Sequence, residues 1–447
     1  MVSKKEKICV LEVANHFGTG GIERVMQDFA LALDKNKFRV IIGVYRLEGS
    51  RIADFKKKGI NVIKLSEACL LEVIKKEKID IIHLHSFTGN FGRPQAGEAK
   101  ILREVIFSGN YSKEADINLV ISKSLLKKLH EKEKLIYGEN YYILYNPQNV
   151  RYWRAYKIPH NKISKLRARL GVKEDQLLIG RLGRSEPSKS DFLFVKSIPL
   201  ILKKLENVKF VFIGLPYLQR LLLYRHKSVR NKVIFLPNQP KDESAAKFYQ
   251  IIDIFWHAAS RGETFGNVNA EAMIFKKPVI THSTPFNNRN WKSTDNAQIE
   301  VVDHMRTGII ASYPKDIFEA VKFLQNNPKK AKEFGDSGYK KVLGRYNTPK
   351  VASSFQDIIL KLHSRANTEV YPDKKEVEAF IEGGYENLLK QCLDEESYIG
   401  KKRYSLEKIL YQTIEVAYLG LRLFLRRTIN YDLEKRGYKK GYYSVLE

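Results

Sequence analysis

The chain has 447 residues, 43% hydrophobic and 29% charged, which excludes a disordered polypeptide and is too long for one small core. It carries 78 Lys and Arg against 50 Asp and Glu, a net charge of +28. The excess is +9 over residues 1–155, +18 over 156–364 and +1 over 365–447, so it belongs to folded sequence and not to a basic tail. Such a field attracts phosphates, anionic lipid head groups or nucleic acid, or it merely solvates the surface.

The first residues, "MVSKKEKICVLEV", run directly into a strand pattern, so no signal peptide is expected. Short β-branched apolar runs follow at 7–13, 38–45, 79–85, 117–122 and 141–146, with an amphipathic helix pattern at 22–33. A second set begins at "LLIGRLG" (177–183) and continues through 208–214, 232–237, 253–259, 277–282 and 307–312. Strands that are apolar throughout, separated by helices, predict parallel sheets covered on both faces. Two such sets predict two doubly wound α/β domains, 1–155 and 156–363, joined through the polar, Pro-containing stretch 146–164. From about residue 364 the pattern is purely helical, and 364–447 reads as an extension.

Cys9, Cys69 and Cys392 lie far apart without a CxxC or a His partner, as expected of reduced thiols in the cytoplasm. No apolar run reaches the roughly 18 residues of a membrane span. The pattern over 404–431 puts Leu406, Leu410, Ala417, Leu421 and Leu425 near one helical face, with Arg422, Arg426 and Arg427 close by. That helix would lie in a membrane interface or dock on the folded domains.

Three motifs carry chemistry. "RGETFGNVNAEAM" (261–273) holds two carboxylates, Glu263 and Glu271, on either side of a turn and a helix start at Gly266–Asn267. A helix N-terminus offers free N–H groups to an anion, and carboxylates accept from vicinal sugar hydroxyls. The plainer alternative is that Glu271 complements the helix dipole and Glu263 is solvated. "GRLGRSEPSK" (180–189) gathers Arg181, Arg184 and Lys189 after a strand, cations suited to a diphosphate. "HFGTGGIERV" (16–25) is a Gly-rich turn in which Gly18, Gly20 and Gly21 allow close backbone approach, although it is neither a P-loop nor a strict GxGxxG. His85 ends the strand "DIIHLH", and His83 alternates away from it, toward the core. No Asp-x-Asp occurs, so no such pair is available to hold a divalent ion on a diphosphate.

In these motifs the chain resembles the retaining, nucleotide-sugar-dependent glycosyltransferases of GT-B architecture that carry an EX7E motif. "ETFGNVNAE" matches that motif, "EAM" and "KPVI" its continuation, "GRLGR" with Lys189 the phosphate loop, and "GTGGIERVMQDFALAL" the first turn and helix; the loop 295–308 also agrees. The resemblance covers roughly 1–363. It implies two Rossmann-like domains facing across a cleft, a nucleotide sugar donor such as a UDP- or GDP-sugar, and transfer of a hexose or N-acetylhexosamine to a glycan or lipid-linked glycan with retention. It further implies Glu271 on the ribose, Glu263 against the transferred sugar, and Arg181 and Lys189 on the diphosphate. The Phe265–Gly266–Asn267 backbone would meet phosphate and sugar, the Gly18–Gly21 turn would face the donor, and His85 would serve in the catalytic cleft. The gap from Arg181 to Lys189 is longer than the family's, which makes Arg184 an alternative phosphate contact. No metal or other cofactor is expected. The anticipated setting is the cytoplasm, with a possible peripheral contact to an anionic membrane. The rival readings are a non-catalytic member of the same fold and a basic nucleic-acid-binding protein; for the latter no RRM, KH or helix-turn-helix pattern is found, and no nucleic-acid partner is expected.

Overall fold

A computed structural model of the chain describes residues 7–18, 20–47, 49, 51–66, 69–85, 96–107, 111–130, 136–238, 241–284, 295–364, 372, 374–391 and a few isolated positions beyond. The chain divides into two compact units, one formed by Met1–Asn149 with Leu343–Tyr385 and one built on Val150–Val342.

The first unit contains β1 (Ile8–Ala14), α1 (Gly21–Ala32), β2 (Phe38–Val44), α2 (Arg51–Lys57), β3 (Asn61–Lys64), α3 (Leu70–Lys76), β4 (Ile81–Leu84), β5 (Lys100–Val105), β6 (Ile117–Val120), α4 (Lys123–His130) and β7 (Tyr141–Ile143). Its strands form one parallel sheet in the order β3-β2-β1-β4-β5-β6-β7. The runs are apolar on both faces because helices cover both faces: Cys9, Leu11 and Val13 belong to one buried cluster, and Ala14 and Ile42 to another with Met26 of α1. Burying each large aliphatic side chain is worth about 1.5–3 kcal/mol, which fixes the strands despite their shortness.

The second unit contains α5 (Val150–Ala155), α6 (His160–Arg169), β8 (Leu177–Leu182), α7 (Leu193–Lys204), β9 (Val208–Ile213), α8 (Tyr217–Tyr224), β10 (Val233–Leu236), α9 (Asp242–Ile251), β11 (Ile254–Trp256), α10 (Asn267–Ile274), β12 (Val279–Thr281), α11 (Gln298–Val301), β13 (Gly308–Ile310), α12 (Pro314–Asn326) and α13 (Pro328–Lys341). Its parallel sheet runs β10-β9-β8-β11-β12-β13. An extensive cluster of buried side chains lies here, in which Trp256 and Phe212 each meet both Phe194 and Phe210.

In both sheets the strand order reverses beside the first strand, between β1 and β4 and between β8 and β11. Ligands of open α/β sheets bind at the carboxyl ends of such neighbouring strands. The architecture is thus two Rossmann-like α/β units in succession with helical sequence after them, the composition of the GT-B fold.

Two features differ from the sequence reading. Strands β3 and β5 were not anticipated, since β3 is only four residues long and β5 is interrupted by Arg103 and Glu104. The helix α14 (Thr348–Ser364), expected with the second domain, groups with the first. Its Phe355 ring lies 4.9 Å from Phe29 of α1 and 4.7 Å from His83. An apolar helical stripe in sequence does not say which sheet it covers. Of the extension, α15 (Lys374–Ala379) and α16 (Tyr385–Gln391) are helical; the helix read at 404–431 lies outside the described residues apart from isolated positions.

Candidate functional site

The second unit assembles its site from the loops after β8 and β11, the neighbours at the reversal of strand order. These loops are tied together along the backbone. Asp191 donates its N–H to Ala258 (3.0 Å), Arg261 donates to Ser188 (3.4 Å), and the Ser260 hydroxyl donates to the Pro187 carbonyl at 2.8 Å. The chain then turns at Gly266, whose φ of 95° is left-handed, and enters α10 at Asn267. That conformation needs a glycine, because an L side chain there is strained. The N–H groups of the first turn of α10 are therefore presented beside Glu263.

Glu263 is held from three sides. The Lys189 ammonium donates to it at 2.7 Å, the His257 Nε2 lies 3.2 Å from its other oxygen, and its backbone N–H donates to the Gln298 side chain at 2.9 Å. Burial alone would raise its pKa, but the charge of Lys189 and the contact with His257 outweigh that and bring it to about 2. Glu263 is accordingly a fixed carboxylate. Gln298 is itself anchored by donating to the His282 carbonyl (3.0 Å), the Thr284 hydroxyl (2.6 Å) and the Asn296 side chain (3.0 Å). Glu271, half-buried one turn into α10, accepts a hydrogen bond from the Tyr249 hydroxyl at 2.7 Å. Phe265 is buried and Asn267 half-buried.

Arg181 departs from its expected role as a phosphate clamp. Its side chain is fully buried, and it donates to the carbonyls of Ile213 and Gly214 at 3.0 Å each and to that of Lys189 at 2.5 Å. Burial lowers its pKa to about 10, opposed by Glu263. A guanidinium committed to three carbonyls shapes the loop 183–189 from beneath. Gly214 makes the close approach possible: at its φ of 75°, an added Cβ would stand 1.8 Å from the Gly183 carbonyl. Arg184 is exposed and pairs with Glu186 at 3.0 Å, so the cations positioned at the surface of this loop are Lys189 and Arg184.

In the first unit, Gly18, Gly20 and Gly21 form the turn into α1, with the Gly18 carbonyl accepting from Arg51 and its N–H donating to the His16 ring at 3.3 Å. His85, expected in the catalytic cleft, is 0% exposed. The register places Glu12 beside His83, and His83 does not alternate away from His85 as expected: residues two apart in a strand share a face, and the two rings lie 4.0 Å apart on the face that also carries Glu104. His85 Nδ1 lies 2.5 Å from Glu104 and its Nε2 2.6 Å from Glu12, whose same oxygen meets His83 Nδ1 at 2.8 Å. With a carboxylate at each ring nitrogen, His85 donates from both and is an imidazolium; burial opposes this, but Glu104 and Glu12 raise its pKa to about 10. Burial would likewise raise Glu12, but the two imidazoles hold it at about 2, while burial lowers His83 and keeps it neutral. The donor atoms of Glu12, His83 and His85 converge within 4.8 Å of one another. The N···O separations of 2.6–2.8 Å are hydrogen bonds; ligands of one tetrahedral zinc, at about 2.0–2.1 Å from the metal, would stand roughly 3.3 Å apart.

Sequence reasoning missed His257, Gln298, Tyr249, Glu12 and Glu104. An acid inside an otherwise apolar strand was the available signal for Glu12, whereas Arg103 beside Glu104 breaks the apolar run of β5 and hides it. His257, Gln298 and Tyr249 left no pattern, because each meets its carboxylate only through the tertiary fold.

A carboxylate, a lysine and a helix N-terminus thus come together at the switch point of a Rossmann-like unit. Residues 162–341 match the family of glycosyl transferases group 1, which, with the fold, supports a glycosyltransferase of GT-B architecture. The structure is similar to a glycosyltransferase from Rickettsia africae (18% identity, TM-score 0.67, covering 81% of this chain and all of that one). It is similar to HepE of Anabaena in complex with UDP and glucose (15%, 0.62, covering 79% and 99%). It also resembles the sucrose-phosphate synthase of Thermosynechococcus elongatus (14%, 0.61, covering 80% and 100%). Comparison of the sequence with curated proteins returns no match.

Proposed function

We propose that the protein transfers a hexose or N-acetylhexosamine from a nucleotide diphosphate sugar to a glycan or lipid-linked glycan acceptor, with retention of configuration and without a metal ion. The observation that carries this reading is the 2.7 Å Lys189–Glu263 pair beside the N-terminus of α10, inside the segment matching glycosyl transferases group 1. The UDP and glucose bound by HepE support a UDP-sugar as the donor.

The site's chemistry follows from its charges. The departing diphosphate gains negative charge as the glycosidic bond breaks, and the N–H groups of α10, Lys189 and Arg184 stabilise that charge. Glu263, ionised and held by Lys189 and His257, accepts from hydroxyls of the transferred sugar, and Glu271 from the ribose. Glu263 is not positioned as a proton donor, since it stays ionised down to about pH 2. The acceptor hydroxyl then attacks from the face the diphosphate leaves, forming the new C–O bond as the sugar–phosphate bond breaks and passing its proton to the departing diphosphate oxygen. Cations in the phosphate loop and the missing Asp-x-Asp support a reaction that proceeds in EDTA.

Thermal-shift titration with UDP-, GDP- and ADP-sugars followed by a donor-hydrolysis assay in EDTA tests the proposal. The expected result is stabilisation by a UDP- or GDP-sugar and turnover unaffected by the chelator. Activity abolished by EDTA and restored by Mg²⁺ or Mn²⁺ would overturn the metal-free reaction, and absence of any nucleotide-sugar binding would overturn the whole reading.

A further inference from the structure

We propose that the second unit carries another binding site, for a phosphate group borne on an apolar moiety, at the end of α10 opposite Gly266. A cavity of about 340 Å³ opens there. Arg154, Lys157, Lys276 and Lys277 line it together with the apolar Ile163 and Phe275. No carboxylate is among its lining residues. The two ends of this eight-residue helix are about 12 Å apart, so the cavity is distinct from the site at Glu263.

These lysines are not accounted for as helix caps. Lys276 adopts φ 57° and donates its backbone N–H to Met273 (2.9 Å), while the Lys277 N–H donates to Ala272 (3.1 Å). That backbone motif closes the last carbonyls of α10 without either ammonium group. Lys276 reaches Asp336 at 2.7 Å, and Arg154 donates to the Tyr339 hydroxyl at 2.7 Å, which leaves both cations at the rim. Lys277 is half-buried, and its ammonium donates to the neutral Gln250 carbonyl at 3.3 Å. Burial pushes this amine down to about 8, with Asp253 opposing. Asp253 in turn is engaged by Arg167 (3.0 Å) and by the Leu178 N–H (2.7 Å). An ammonium held in a cavity against one carbonyl favours an incoming anion.

The surroundings strengthen the field. Residues 151–169 contain seven Arg and Lys and no acid, and α6 buries no side chain. The Arg154 guanidinium with the Lys157 and Lys277 ammonium groups matches a phosphate, Lys276 being paired with Asp336, and the Ile163 and Phe275 side chains match the group that carries it. A lipid phosphate and a soluble phosphate ester share this chemistry.

Calorimetric titration of the full chain, in excess UDP, tests the assignment with dihexanoyl phosphatidate below its micellar concentration, inorganic phosphate, and phosphatidylcholine vesicles with and without phosphatidate. Saturable binding of the soluble phosphatidate, about tenfold tighter than inorganic phosphate, is expected. Lys157→Ser with Lys277→Met should weaken it by at least about tenfold, while the exposed single change Lys157→Ser, which leaves the fold intact, should weaken it severalfold. Competition by the phosphatidate vesicles identifies a membrane lipid as a source, and its absence identifies a soluble ester; both uphold the site. No saturable binding in UDP, equal affinity for inorganic phosphate, or binding unchanged in the correctly folded variants overturns it.

Discussion

Glu263 and Glu271 share a short segment, yet their surroundings separate their roles. Glu271 is reached by a neutral Tyr249 hydroxyl and remains suited to a ribose diol, whereas Glu263 is locked to Lys189 and His257. Replacing Glu271 with Ala should weaken nucleotide affinity by roughly 10- to 100-fold, the range for a hydrogen bond to a charged group. Glu263→Ala should lower turnover more than affinity. Unchanged nucleotide affinity in the Glu271 variant, measured by calorimetry, would remove its assigned contact. Arg181 makes the opposite case. Because its guanidinium binds three carbonyls in the interior, Arg181→Ala should cost roughly 3 kcal/mol or more of stability, read from denaturant unfolding, before any effect on ligand is considered. A stable Arg181 variant with lost nucleotide affinity would return this residue to the phosphate.

Across elements, the buried Glu12–His85–Glu104 chain ties β1, β4 and β5 of the first unit together, and it makes stability depend on pH at both ends. His85 has a folded pKa of about 10, above its ordinary value of 6.5, so its contribution is complete below about 6.5 and disappears as pH rises through 10. Glu12 has a folded pKa of about 2, below its ordinary 4.5, so its contribution is complete above about 4.5 and disappears as pH falls toward 2. Stability from this chain should therefore be greatest between about pH 4.5 and 6.5. Glu104→Gln should cost roughly 3–5 kcal/mol, since it leaves a buried charge with one partner, and should flatten the alkaline slope. An unchanged alkaline slope in that variant would falsify the imidazolium assignment. The same strands show what sequence could and could not reveal. Their two-faced apolar runs made the parallel sheets legible, and the glycines and cations of 180–189 and 261–273 made one site legible. Glu104 was lost with β5 because a charged pair breaks the apolar run. His85 was legible as a special residue, but its enclosure was not, since the two acids that hold it come from β1 and β5, 73 and 19 positions away.

At the scale of the molecule, a net charge of +28 concentrated in folded sequence remains larger than one diphosphate site requires. Among the described residues no helix is long and apolar enough to cross a membrane. Charge near an anionic surface contributes about 1 kcal/mol per basic residue, and the 401–440 stretch, with 11 basic and 4 acidic residues, adds apolar positions such as Leu421, Phe424 and Leu425. We therefore expect the full chain to pellet with anionic vesicles at low salt, and to be released as salt screens the surface beyond a Debye length of about 8–10 Å. A chain ending at residue 391 keeps α14 on the first unit, where its Phe355 packs against Phe29, so it removes the 392–447 part of the extension without disturbing that core. If the extension inserts, the truncated chain should bind weakly and lose all binding in moderate salt, while the full chain retains a salt-resistant fraction. Equal retention by the two would assign the contact to the basic face of the second unit alone. If neither pellets at low salt, the expected membrane contact is wrong and a soluble acceptor is favoured for the proposed transfer.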